Sequence, residues 1–216
     1  MTQGRVVRGL LGAAALLLAV RPAAAGSIMG SAHDFTAYNW SGGQVCIACH
    51  NPQNANTSVT VAPQWNHALS AQTYTLYATN SLKANIGQPG MRSKLCLSCH
   101  DGTVAVDSFG GVTGSQYISR ANNIGATLKD DHPIGFLYDT ALANLNGTLF
   151  DPSTKSVTIG SGGTTQTGTI ASLMLYGGQV ECSSCHDVHN KYTAGTTGLM
   201  KIGSTGSAIC VACHSK

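Results

Sequence analysis

Val180-Glu181-Cys182-Ser183-Ser184-Cys185-His186-Asp187-Val188-His189-Asn190 is the stretch on which the reading of this chain turns. Two cysteines stand three positions apart, a histidine follows at once, and a second histidine comes three residues later. The same order recurs as Cys46-Ile47-Ala48-Cys49-His50, Cys96-Leu97-Ser98-Cys99-His100 and Cys210-Val211-Ala212-Cys213-His214, so the four motifs use all 8 cysteines. C-x-x-C-H is the attachment motif of c-type haem. Its two thiols bond to the vinyl groups on one porphyrin edge, and the histidine reaches the iron from one face. Histidine is 8 of 216 residues, so four chance hits after C-x-x-C have odds on the order of one in 500,000. Disulfides, Cys–His zinc sites and thioredoxin-type redox pairs are the competing readings. A disulfide framework leaves four histidines unexplained, and covalent haem c at all four motifs is the expectation.

Once His50, His100, His186 and His214 are assigned to the near face of each iron, His33, His67, His132 and His189 remain. Four haems and four spare histidines close the count, which implies bis-histidine iron suited to electron transfer rather than to binding small molecules. His67 sits in Trp65-Asn66-His67, before an expected helix over 68–83. His132 sits in Asp130-Asp131-His132-Pro133, where proline disfavours helix for the residue before it and a carboxylate stands ready to orient the imidazole. His189 is three residues after His186, on the same face if the motif helix continues. Axial ligands approach one iron from opposite sides, so His189 is expected to serve a neighbouring haem. Met29, Met91, Met174 and Met200 are the alternative ligands, and the histidine count leaves no vacancy for them.

Arg5 and Arg8, an apolar run from Leu10 to Val20, and Ala23-Ala24-Ala25 before Gly26 form the pattern of a secretory signal peptide over residues 1–25. The run is shorter than the ~20 residues that span a bilayer, and no later segment is long and apolar enough. No transmembrane segment is therefore expected after cleavage. The first cysteine is Cys46, which argues against a lipid anchor. Three of the 12 basic residues and none of the 9 acids lie in residues 1–25, leaving nine of each over 26–216. A nucleic-acid-binding protein is excluded on that balance. Charged residues are 10% of the chain, against ~25% in ordinary soluble domains, and weakly charged surfaces favour self-association.

The motifs start 50, 86 and 28 residues apart, and no linker divides them, so residues 26–216 are read as one tetrahaem domain. Aromatic residues are only 6%, which leaves a thin conventional core. The expected fold class is a multihaem cytochrome c: mostly irregular coil with short α-helices wrapped around four covalent haems, and little β. Within the long gap, Gly110 to Gly125 reads as loop, Phe136 to Leu145 as helix, and Lys155 to Gly168 as a hairpin about Gly160-Ser161-Gly162-Gly163.

His33-Asp34-Phe35, Ala62-Pro63-Gln64-Trp65-Asn66-His67, Ser93-Lys94-Leu95-Cys96, Asp131-His132-Pro133-Ile134 and the 180–190 stretch give the chain a further resemblance. It is similar to the doubled-CxxCH cytochromes, and among them to the OmcE-type tetrahaem extracellular filaments, or nanowires. That resemblance implies bis-histidine haems running end to end through each subunit, a homo-oligomeric helical filament, and one distal histidine donated by a neighbouring subunit. By position that donor is His33. Relatives often carry histidine where this chain has Gln53, so that position supplies no ligand.

The expected function is electron transport without turnover, hence no enzyme and no catalytic residues. The setting implied is extracellular or cell-surface, with redox proteins or an external acceptor as partners. A soluble periplasmic shuttle is the alternative, and a charged docking face, which shuttles use for steering, is scarce here. A multihaem reductase is the third reading, and it requires an open iron or an irregular motif.

Overall fold

A computed structural model describes residues 28–195 and 198–215. The proposed signal peptide at 1–25 lies outside the described residues. Regular structure is sparse and arranged around the motifs. Met91–His100 (α1), Cys182–Cys185 (α4) and Ala208–Val211 (α5) are helices that carry three of them. Phe136–Leu137 (β1) pairs antiparallel with Gln179–Val180 (β4), and Ser156–Ser161 (β2) with Thr164–Thr169 (β3). Thr140–Asn146 (α2) and Ile170–Leu173 (α3) flank the hairpin. Few helices, all short, and two small antiparallel pairs make a coil-rich fold.

The hairpin turns where the glycines stand. Gly162 at φ 60° takes the left-handed conformation that a side chain disfavours. Val157 and Ile159 alternate inward at 8% and 3% exposure, while Ser156 and Thr158 face solvent. Thr158 and Thr167 bond across the strands at 2.8 Å.

A conventional core does exist, and it occupies the long inter-motif gap. Phe136, Tyr138, Leu142, Val157, Ile159 and Ile170 are buried together, and Met174 packs among them. Ala212 of the fourth motif closes this cluster. Towards the N-terminus, buried apolar side chains thin out to a cluster of Tyr74, Leu97 and Leu128. The sequence expectation of a thin core thus holds for one half of the chain and fails for 136–180, where short apolar runs converge.

Two helix expectations are corrected. Residues 68–83 form no helix, because several of their backbone donors are taken by distant partners. Ala68 N–H bonds Ser108 O (2.9 Å), Ser70 N–H bonds Ser98 Oγ (3.0 Å), Tyr74 N–H bonds Gln88 Oε1 (2.9 Å) and Thr75 N–H bonds Ala126 O (2.9 Å). Over 136–145, Phe136 and Leu137 form a strand and the helix begins only after Asp139. Its carboxylate caps Leu142 N–H at 2.8 Å, and Gly147 closes the far end at φ 74°. Gly110–Gly125 is loop with one tight turn at Arg120–Asn122.

Asp101, just after the second motif, anchors the extended segment. Its buried carboxylate accepts Tyr74 Oη (2.7 Å), Thr103 N–H (2.8 Å), Thr103 Oγ1 (2.7 Å) and Ser70 Oγ. Burial alone would raise its pKa, but these donors outweigh it and hold the carboxyl below the usual 3.8. A depressed pKa contributes stability that is present above the ordinary value and is lost as pH falls through the lowered one. Asp101→Asn is expected to lower the unfolding free energy by about 1–3 kcal/mol near neutral pH. Chemical denaturation across pH checks this, with mutant and parent converging in strong acid.

Candidate haem sites

Cysteines at i and i+3 project from one side of a helical turn, so C-x-x-C on a single turn presents two thiols to one edge of a ligand. The chain forms that turn at each motif. His50, His186 and His214 donate their backbone N–H to the carbonyl of their motif's first cysteine at 2.8, 3.1 and 2.9 Å, and the second motif closes α1. All eight cysteines are free thiols.

Just beyond the turn, each motif histidine is tied to a distant segment. His50 bridges Trp65, His186 bridges Met200 and His214 bridges Leu149, while Ile124 N–H bonds His100 O at 2.7 Å. The same segments orient the rings. Nδ1 of His50 bonds Pro63 O (2.7 Å), that of His100 bonds Asn122 O (2.9 Å), and that of His186 bonds Gly198 O (2.6 Å). A carbonyl accepts only, so Nδ1 carries the proton and Nε2 keeps its lone pair for a metal. His132 follows the same rule through Pro133 O at 2.9 Å.

Three spare histidines come to rest beside a motif histidine. Ring centres are 6.1 Å apart for His33 and His100, 6.2 Å for His50 and His189, and 6.5 Å for His132 and His214. An imidazole nitrogen lies roughly 2 Å from a first-row metal it binds, with the ring centre about 1 Å further. Two imidazoles facing across one metal therefore have centres about 6 Å apart, and these three pairs are spaced for that arrangement. His189 reaches its partner by a different route from the one the sequence implied. The helix ends at Cys185 and His186 is extended (φ −110°, ψ 141°), so the two side chains do not share a helical face.

His67 is the exception. It is 2% exposed, with Nδ1 on Ala68 O (2.7 Å), Nε2 on Ala105 O (3.0 Å), and Cys99 Sγ 3.5 Å from Nε2. The described residues show no ring contact between His67 and His186. Burial lowers the pKa of both His67 and His33, and pushes His33 to about 4 with help from His100 and His186. His33 is therefore a neutral imidazole at ordinary pH, as a metal ligand must be.

The sulfurs run through the molecule in chain order. Cys96 and Cys182 share a hydrogen bond that raises the first thiol and lowers the second. Cys49 stands near enough to Cys96 and Cys99 to raise both, and Cys210 and Cys213 stand in the same relation to Cys185. Burial is the largest cause at Cys99, Cys185 and Cys213 and the hydrogen bond at Cys96, and charge repulsion between neighbouring sulfurs adds to all four. Attached sulfurs are thioethers and do not titrate; what persists is the proximity.

The second and third motifs are joined by a contact that the sequence did not signal. Glu181, 6% exposed, accepts from Ser93 N–H at 3.2 Å and from Ser93 Oγ, while Ser93 Oγ accepts Cys182 N–H at 2.9 Å. Ser184 and Glu181 complete a capping box at the start of α4. One carboxylate and one hydroxyl thus clamp α1 to α4. A serine two turns before a motif histidine and a glutamate preceding a cysteine are too common to mark such a joint.

The residues fit haem on three observations: the ring spacings, the Nδ1 anchors, and buried polar atoms without a hydrogen-bond partner at His33 Nδ1, Trp40 Nε1 and Ser183 Oγ. Ser183 lies inside the third motif, and Trp40 packs on Phe35, which contacts the spare histidine His33. Among the described residues, no group of three or more His, Cys, Asp or Glu side chains is arranged to hold a metal ion, which zinc sites require.

Residues 176–216, which contain the third and fourth motifs, match the doubled CXXCH motif family. No curated protein matches the chain. The match supports a multihaem c-type cytochrome with covalently bound haem and an electron-transfer role.

Glu181→Ala removes the acceptor at the clamp and leaves buried donors on Ser93 unpaired. Unfolding free energy is expected to drop by about 1–3 kcal/mol, with Glu181→Gln losing less because its amide oxygen still accepts. Denaturant titration of both variants checks the order.

Proposed function

We propose that this protein carries four c-type haems with bis-histidine iron and relays electrons among them, as a subunit of an extracellular filament. The observation that carries the proposal is the pairing of spare with motif histidines at 6.1–6.5 Å, together with attachment sulfurs that neighbour one another in chain order. Haem, when bound, supplies the one-electron couple. The chain supplies everything else: thiols that fix the porphyrin edges, Nδ1 anchors that aim each Nε2, and helix contacts that set the spacing.

On this reading His189 serves the haem on Cys46 and Cys49, His33 the haem on Cys96 and Cys99, and His132 the haem on Cys210 and Cys213. His67 is left for the haem on Cys182 and Cys185, and must release Ala105 O to reach it. His33 lies opposite His100 of its own chain. In a filament the segment carrying His33 is exchanged with the neighbouring copy, so the same ring contact forms between chains. The balance of nine basic against nine acidic residues over 26–216 favours self-association. Exposed Met29 (63%), Tyr38 (48%), Val112 (66%) and Tyr117 (58%) favour it too. Export through residues 1–25 is part of the same proposal, and no helix among the described residues is long and apolar enough to cross a membrane.

His189→Ala is expected to keep every haem attached but turn the one on Cys46 and Cys49 high-spin, read by electron paramagnetic resonance. A vacancy on the Cys182–Cys185 haem contradicts the pairing. His33→Ala is expected to open the haem on Cys96 and Cys99 and to block filament growth, read by electron microscopy. Filaments of normal length with all haems low-spin contradict the exchange, and uniform small particles from the unaltered holoprotein favour a periplasmic shuttle instead.

A further inference from the structure

Lys201 is a buried cation that the haem-attachment scheme does not use. It is 4% exposed, and its ammonium donates to Leu173 O and to Tyr176 Oη, both at 3.0 Å. Lysine is rarely this buried without a carboxylate partner, because burial penalises the charge. Here the charge faces an aromatic ring instead: Nζ lies 5.0 Å from the Tyr176 ring centre, and Arg92 of α1 lies 4.3 Å from the same centre. Two cations therefore share one tyrosine.

The backbone of Lys201 is fixed separately from its side chain. Its N–H bonds Cys185 O at 2.8 Å, and its carbonyl accepts Gly160 N–H at 2.8 Å. The preceding residue, Met200, bridges His186. Lys201 is thus strapped directly against the third motif, on the second attachment cysteine and beside its histidine.

The carboxylates of this neighbourhood are engaged by other partners. Lysine 201 lines a cavity of about 310 Å³ with Asp187, His189, Lys191 and Tyr192. The Asp187 carboxylate is engaged by the backbone N–H groups of His189 (3.1 Å), Lys191 (3.0 Å) and Tyr192 (2.8 Å). Glu181 is directed to Ser93 at the joint with α1. Arg92, over the Tyr176 ring, and Lys191, in the same cavity, add positive charge.

We infer that Lys201 is a potential-setting residue, whose buried ammonium raises the reduction potential of the haem held by Cys182 and Cys185 above the value its axial ligands alone would give. The inference rests on the haem reading of the third motif. The physical basis is that oxidation adds positive charge at the iron, and a fixed cation in a poorly screened site opposes that step. A surface lysine has little such effect because water and salt screen it. The consequence is directional: one site in the sequence of four holds its electron more firmly than its neighbours.

The test uses the full-length, haem-loaded protein. Lys201→Met keeps the length of the stem and removes the charge, Lys201→Gln removes it with a polar end, and Lys201→Arg keeps it. Intact mass and haem content come first; a parent with no haem on Cys182 and Cys185 overturns the functional reading and this inference with it. With four haems attached, spectropotentiometric titration is combined with nuclear magnetic resonance assignment of the individual haems. Both neutral variants are expected to lower the midpoint of the Cys182–Cys185 haem more than that of any other, and to keep the shift in high salt, while Lys201→Arg stays near the parent. Unchanged midpoints, a uniform shift of all four, or a shift confined to another haem overturns the inference while leaving the functional reading standing. If neither neutral variant folds, a Lys201→Arg midpoint that moves away from the parent's overturns it, and one that stays supports it.

Discussion

A carbonyl that takes the Nδ1 proton of a histidine leaves its Nε2 lone pair free for a metal, and that contact organises the chain around three of its four motifs. Nδ1 of His50, His100 and His186 each meets a carbonyl from a segment 12 to 22 residues away, at Pro63, Asn122 and Gly198 respectively. These segments are otherwise irregular, and their backbones have few reasons to lie where they do. Their course is explained by the rings they hold. Bridges from His50 to Trp65 and from His186 to Met200 extend the same contacts along the backbone. A coil-rich fold is the natural result, because ring anchoring needs single carbonyls at chosen points rather than long hydrogen-bonded ladders.

The chain solves its stability problem differently at its two ends. Residues 136–180 bury Phe136, Ile159 and Ile170 in an ordinary apolar cluster, and the fourth motif docks on it through Ala212. The first and second motifs have less of it, the small cluster of Tyr74, Leu97 and Leu128, and lean more on polar joints, with Asp101 gathering Ser70, Tyr74 and Thr103. Glu181 and Ser93 then couple the two regimes by binding α1 to α4. Small scaffolds with little core use covalent or metal staples for the same purpose, and the proposed thioether bonds at the first and second motifs fall where apolar burial is weakest.

Much of the site was legible in the sequence because covalent chemistry leaves a spacing. C-x-x-C-H names its own residues, and the hairpin at 156–169 follows from glycines at its tip. What stayed hidden depends on contacts between residues far apart in the chain. The stretch 68–83 has a helix-compatible pattern, yet partners such as Ser98 and Gln88 claim its donors. The approach of His189 to His50 was anticipated only as service to some neighbouring haem, from a helix that ends too early. Lys201 and Glu181 look like ordinary charged residues until burial singles them out. The doubled CXXCH match covers 176–216 alone, so the N-terminal motifs rest on their residues and their geometry.

The central claim is that four motifs hold four haems whose irons are closed on both faces by histidine. Intact mass of the haem-loaded protein, with electron paramagnetic resonance on the same oxidised sample, tests it most directly. The account predicts a mass increase of four haems over the polypeptide and low-spin ferric signals alone. Fewer than four haems on chains whose thiols are all accessible, or a stable high-spin fraction in the fully loaded protein, contradicts it.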